Sequence, residues 1–116
     1  MSDPRPPILV FVRDLIFASR ISATARAAGV DVKLLRDNTT LATESGRRLI
    51  VDLNQSGALE AAIEWKRQVG GDREVVGFVS HVDADIIRRA RDAGIDQVLP
   101  RSRFVVELES LLARGG

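Results

Sequence analysis

The sequence predicts an α/β domain built on one open, five-stranded parallel sheet, doubly wound with helices on both faces. Three features point there. Apolar runs recur at Ile8-Leu9-Val10-Phe11-Val12, Leu49-Ile50-Val51 and Val75-Val76-Gly77-Phe78-Val79, and they are continuous, as strands covered on both faces require. Each strand candidate is followed by a segment whose apolar residues recur at helical spacing. Strand and helix alternate in this way five times, the order that builds a parallel sheet through crossover helices.

Met1 to Pro7 is a polar, proline-rich lead-in that cannot propagate a helix, and a single domain is expected over 8–114. The first strand is Ile8 to Val12. Asp14 then supplies a cap for a helix over 15–28, with Phe17, Ile21, Ala25 and Ala28 on one face and Gly29 placed to end it. A second strand is expected over 30–35, and a turn cluster, Arg36-Asp37-Asn38-Thr39-Thr40, leads to a brief helix over 40–45. The third strand spans 48–53. Leu59, Ala62, Ile63 and Lys66 mark a helix over 58–69 that Gly70-Gly71-Asp72 ends. The fourth strand spans 75–80, and Asp83 or Asp85 caps a helix carrying Ile86, Ile87, Ala90 and Ala93, stopped by Gly94. A fifth strand over 95–99 and a last helix over 104–113, with Val105, Leu108, Leu111 and Leu112 inward, complete the chain.

Composition narrows the function classes. At 116 residues the chain buries a sizeable core without staples, and its lack of cysteine excludes disulfides and thiolate metal sites. Seventeen Lys and Arg against sixteen Asp and Glu give a net charge of +1, so no global field attracts nucleic acid. Four Phe, one Trp and no Tyr leave single-strand stacking platforms poorly supplied. Arg88-Arg89-Ala90-Arg91 lies beside Asp85 and Asp92 and reads as a solvated helix face. No apolar run approaches the roughly 18 residues of a membrane span. A soluble, cytoplasmic protein without nucleic-acid or membrane partners is expected.

In open parallel sheets, sites form outside the carboxyl ends of the strands. The first strand delivers Arg13 and Asp14 there, the third Asp52 and Asn54, the fourth Ser80 and His81, and the fifth Pro100, Arg101, Ser102 and Arg103. Asp52 closes an apolar strand, where desolvation opposes its charge. Its simplest role is to cap the turn Asn54-Gln55-Ser56-Gly57, as Asp14 caps a helix. Trp65 reads as packing. His81 is the sole histidine, so no multi-histidine metal site exists, and Ser80 and His81, adjacent at a strand end, would point apart rather than form a hydrolytic pair. The turn after the first strand carries no glycine, which argues against a nucleotide cofactor.

The five-unit order, the hydroxyl at Ser80, the Ala93-Gly94 helix end and Ile95-Asp96-Gln97-Val98-Leu99 together resemble the receiver domain of bacterial response regulators. The resemblance implies a flavodoxin-like (βα)5 fold and a stand-alone module of two-component signal transduction rather than an enzyme. It places Asp52 as the phosphoacceptor, Asp14 as one of the acids that hold Mg²⁺ with Asp52, Ser80 as the switch hydroxyl and Arg101 where the family keeps a lysine. It also implies an output surface over 83–112. An aspartate attacks phosphorus only when a divalent cation and a positive side chain neutralise the incoming oxygens.

The sequence departs from that pattern where the chemistry depends on it. Arg13 stands where the first acid of the pair would stand, Arg101 replaces the lysine, and Ser102 replaces the proline after it. A guanidinium does not substitute conservatively for an ammonium. Arg13 or Arg101 is expected to pair with Asp14 and Asp52 in place of a metal, as in pseudo-receivers that act by binding another signalling protein. No cofactor is expected, with Mg²⁺ relevant only if phosphorylation is retained. The alternative is a small-anion site in which Arg13, His81, Arg101 and Arg103 gather a phosphate or carboxylate at the sheet edge.

Overall fold

A computed structural model describes residues 6–68 and 73–113. The first five residues of the expected lead-in, the end of the third helix at Val69 and its Gly70-Gly71-Asp72 stop lie outside the described residues. The elements run β1 (Ile8–Phe11), α1 (Leu15–Ala27), β2 (Val32–Leu35), α2 (Asn38–Leu41), β3 (Arg48–Asp52), α3 (Ala58–Gln68), β4 (Glu74–Val79), α4 (Ala84–Asp92), β5 (Gln97–Pro100) and α5 (Arg101–Ala113). All strand pairs are parallel, in the order β2-β1-β3-β4-β5.

Alternation along the strands divides the core in two. Ile8, Val10, Ile50, Val76 and Phe78 face α1 and α5, where they meet Phe17, Ile21, Phe104 and Leu108. Leu9, Phe11, Leu49, Val51, Val75 and Val79 face the other helices and bury Leu41, Leu59, Trp65 and Ala90. Every residue of β1 is buried on one face or the other, which explains its unbroken apolar run. Trp65 is fully buried, and its indole N–H donates to the Glu44 carbonyl at 3.0 Å.

Local chemistry sets the element ends. One Asp14 carboxylate oxygen accepts the backbone N–H groups of Ile16 and Phe17, each at 3.1 Å. Asp83, rather than Asp85, caps α4 by accepting from Asp85 and Ile86. Asp37 does the same for α2 by accepting from Thr39 at 2.9 Å, so that helix begins at Asn38 rather than near Thr40. Gly29 and Gly94 take the left-handed conformation, with φ of 72° and 86°. After each, the next residue donates back into the helix, Val30 to Ala25 and Ile95 to Ala90. This closure occupies Val30 and Ile95, and β2 and β5 therefore begin two residues later than the apolar pattern suggests. The last helix starts at Arg101, three residues before Phe104, because it follows β5 without a loop.

The strand order reverses between β1 and β3: the chain leaves β1 toward one edge of the sheet and leaves β3 toward the other. Asp14 follows β1 and Asp52 ends β3, so both lie where the connections diverge and leave an opening above the sheet.

Candidate functional site

The β3 register sets Asp52 opposite Phe78 and one residue beyond the Phe11 and Val51 pair. Asp52 is half-buried, and one of its oxygens accepts the backbone N–H of Asn54 at 3.0 Å. Burial pushes its carboxyl above the usual aspartate value; the Asn54 N–H and the positive charge of Arg101 pull the other way, Asp14 pushes it further up, and His81 opposes the rise. The turn-capping role read from the sequence is therefore present, and the carboxylate retains an oxygen that faces this mixed field.

Arg101 occupies the first turn of α5. Its guanidinium carbon lies 4.0 Å from the centre of the Phe17 ring, and its Nη2 stands 3.9 Å from Asp14 Oδ2. The ring holds the guanidinium by cation–π attraction. Phe17 is itself fixed by an edge contact with Phe78 at 5.2 Å and a tilted contact with Phe104 at 5.9 Å. The expected ion pair thus forms between Arg101 and Asp14, at long range, while Asp52 feels Arg101 only through space.

Arg13 goes elsewhere. Its backbone N–H donates to Gln55 Oε1 at 2.5 Å. Its guanidinium donates to Asn38 Oδ1 at 2.8 Å, to the Arg36 carbonyl at 3.3 Å and to the Ser56 carbonyl at 3.4 Å. It ties together the loops after β1, β2 and β3, and among the described residues it pairs with neither Asp14 nor Asp52. Of the two arginines expected to pair with these acids, only Arg101 does so, with Asp14; acceptors after β2 and β3 outcompete the two carboxylates for Arg13.

Ser80 and His81 are both exposed, and their backbones are held by one side chain. Asn54 Oδ1 accepts from Ser80 N at 2.6 Å and from His81 N at 3.0 Å, and Asn54 Nδ2 donates to the His81 carbonyl at 3.4 Å. Arg103 pairs with Glu107 one turn along α5. The four cations of the anion alternative are therefore not assembled: Arg13 and Arg103 have other partners, and only Arg101 and His81 act on the acids.

Sequence reasoning missed Asn54 and Gln55 as organising residues. The Gln55 amide reaches across to the Phe11 carbonyl at 3.4 Å while accepting from Arg13. The available signal was two side-chain amides directly after a strand, each able to donate and accept across a gap between loops.

The donors present make a poor cage for a divalent cation. Among the described residues no group of three or more His, Asp or Glu side chains is placed to hold a metal. One Asp14 oxygen already accepts two backbone N–H groups, and the other faces Arg101. Magnesium is commonly held by one or two carboxylates; of the two here, Asp14 is engaged through both oxygens and Asp52 through one.

No family model and no curated protein matches the sequence. Solved structures do. A CheY-like response regulator receiver domain protein from Methanospirillum hungatei superimposes with a TM-score of 0.76 at 10% identity, over 93% of this chain and 94% of the other. The non-phosphorylated HemR receiver domain from Leptospira biflexa gives 0.76 at 13% identity, over 97% and 98%. The phosphorylated cyanobacterial phytochrome response regulator RcpA gives 0.73 at 17%, over 94% and 89%. The fold is the receiver fold. At these identities the likeness reaches the backbone and the topology, and the side chains at the sheet edge are this chain's own. No helix among the described residues is long and apolar enough to cross a membrane.

Proposed function

We propose that this chain is a receiver-like signalling module whose phosphorylation site is degenerate and which acts by binding another protein. The observation that carries the reading is the seat of Arg101. Its guanidinium is stacked on Phe17 and set against Asp14, so a fixed side-chain charge engages one of the acids that a divalent cation would need. Arg13, in place of the family's first acid, holds three loops instead of a metal. The first change engages an acid and the second lacks one, both at the expense of a divalent cation, and the loops around Asp52 are organised without it.

Support for an interaction role comes from the neighbouring α4 face. Val82 is 87% exposed, and with Ile87, Arg88 and Arg91 it lines a shallow groove there. An apolar centre with charges of both signs at its rim, where Asp92 joins the arginines and Arg88 pairs with Asp85, suits a protein partner that presents an apolar anchor within a polar ring. No metal or organic cofactor enters this proposal, and neither does catalysis by Ser80 and His81.

The test is incubation with a small-molecule phosphodonor and Mg²⁺, followed by intact mass measurement. The expected result is no phosphoryl adduct. An adduct that disappears in Asp52→Asn would overturn the degenerate-site reading and restore Asp52 as phosphoacceptor.

A further inference from the structure

β2 ends the sheet on the side away from α4, and among the described residues its outer edge has no neighbouring strand. Ile8 N donates to the Asp31 carbonyl at 3.0 Å. With Ile8 beside Val32 and Val10 beside Leu34, that bond turns the backbone N–H and C=O of Lys33 toward β1 and those of Val32 and Leu34 outward. These backbone groups face away from the sheet in a row, a template for pairing with another chain. The devices that ordinarily blunt such an edge are weak here. β2 contains no proline, and its one charged residue, Lys33, is held by Glu44 at 2.7 Å over the face that Leu35 shares with Trp65. Leu34 beside it is 45% exposed.

A groove accompanies the edge. Ala23 and Ala27 line a hollow with Glu109 of α5, so Ser22 and Arg26 lie on the side of α1 away from α5. There, with Val30, Asp31 and Val32, they form a groove of about 320 Å³. Val32 packs on the α1 side of the sheet, and a strand laid along Val32 and Leu34 would send alternate side chains to that same side.

Charge selects the occupant. Among the described residues neither Arg26 nor Arg36, the residue after β2, has an ion-pair partner, and Asp31 is the one unpaired acid beside them. Lys33 is matched by Glu44, and Asp37 caps α2. The excess is positive. A second copy is disfavoured: antiparallel pairing through Val32 and Leu34 of both copies sets Lys33 directly opposite its own counterpart, and like charges so placed destabilise a sheet.

We propose that the β2 edge is a docking site for an extended, acid-bearing peptide segment of another protein. The segment adds a strand to the sheet, its backbone bonds to the N–H and C=O groups of Val32 and Leu34, and its acidic side chain enters the groove beside α1 and meets Arg26. Main-chain bonds supply the affinity of such additions, and the groove supplies the selectivity.

NMR of the 116-residue chain, titrated to millimolar with capped hexapeptides of alternating Thr and Val that carry one Glu at each position in turn, tests this. The free protein should exchange the amides of Val32 and Leu34 faster than those of Lys33 and Leu35. At least one peptide should shift and protect Val32 and Leu34 saturably, and N-methylation of its alternate amides should abolish the effect without any change to the protein. Arg26→Glu, at an exposed position, should retain the circular dichroism of the wild type and weaken that peptide by about tenfold, and exchange of the peptide's Glu for Lys should recover the loss. The proposal is overturned if no peptide of the set reaches these two amides, if N-methylation leaves binding intact, or if the shifts centre on Val82. Protection of Val32 and Leu34 that rises with protein concentration in the absence of peptide would overturn it in favour of a second copy.

Discussion

If Arg101 is a fixed charge, its contact with Phe17 must be energetically real, and a double-mutant cycle measures it. Arg101→Met keeps the length of the side chain and removes the charge; Phe17→Leu keeps the apolar bulk and removes the ring. The guanidinium carbon lies 4.0 Å from the ring centre, well inside the roughly 6 Å limit for cation–π attraction, and a partly exposed contact of this kind contributes about 0.5–1 kcal/mol. The Asp14 pair adds only a few tenths of a kcal/mol, since it spans 3.9 Å with both side chains more than 40% exposed (41% and 47%). Arg101→Met should therefore cost about 1 kcal/mol. Phe17→Leu loses about one methylene of buried surface and the ring contacts with Phe78 and Phe104, about 2 kcal/mol in all. The double variant should fall short of the sum by about 0.5–1 kcal/mol. Urea unfolding followed through the fluorescence of Trp65, the sole and fully buried tryptophan, reads all four corners of the cycle. High salt should leave the coupling in place, because the Asp14 pair is screened and the ring contact is not. Additivity within about 0.3 kcal/mol would refute the seat proposed for Arg101.

Three further outcomes follow from the same geometry. Asp52→Asn should stabilise the protein at neutral pH: the wild-type carboxyl is held above its ordinary value by burial, so its share of stability is fully present below the unfolded pKa and is lost as pH rises through the folded one. Unfolding free energies of the two proteins should converge near pH 3 and separate upward from about pH 4, and a variant less stable than wild type at pH 7 would contradict this. Asn54→Ala removes three hydrogen bonds to Ser80 and His81 and should cost about 1–2 kcal/mol, with faster amide exchange at those two residues and little change in β1. Gly57→Ala should destabilise more than Gly29→Ala. Both have positive φ, 76° and 72°, but a Cβ at Gly57 would meet Asn38 Nδ2 at 2.5 Å while one at Gly29 meets nothing within 4 Å. The left-handed penalty alone is about 1–2 kcal/mol, and displacement of Asn38 from Arg13 should add about 1 kcal/mol at Gly57, measurable in the same urea experiment.

The fold was legible because its determinants are local and redundant. Continuous apolar strands, Asp14 as a cap, and Gly29 and Gly94 as helix ends each act within a few residues, and every one of them agrees with the same alternation. The errors arose where a residue serves two elements. Val30 and Ile95 are apolar and precede strands, yet their N–H groups close the preceding helices. The site was legible in membership and not in wiring. That Asp14 and Asp52 converge follows from topology, since one follows and the other ends the two strands that flank the switch point, whereas Arg101 reaches Asp14 from the end of the edge strand β5. That Arg101 stacks on Phe17 depends on a ring whose orientation is set by Phe78 and Phe104, and no sequence period encodes that orientation.

The two arginines show why like substitutions at one sheet edge have unlike consequences. Arg13 leaves β1 at the switch point, where the loops after β2 and β3 offer two backbone carbonyls and the Asn38 amide oxygen within reach. A guanidinium satisfies several such acceptors in one plane, which no ammonium can do, and an acid at this position could accept from none of them. Arg101 emerges beside an aromatic face and a helix-capping acid, and its charge stays close enough to favour ionisation of Asp52. Arg13→Asp would therefore open three loops before it supplied a metal ligand, whereas Arg101→Lys would trade a stacked, planar cation for a mobile one with little disturbance to the loops. If any single change permits phosphoryl transfer at Asp52, it is expected at Arg101, and Arg13→Asp alone is expected to lower stability without creating an adduct.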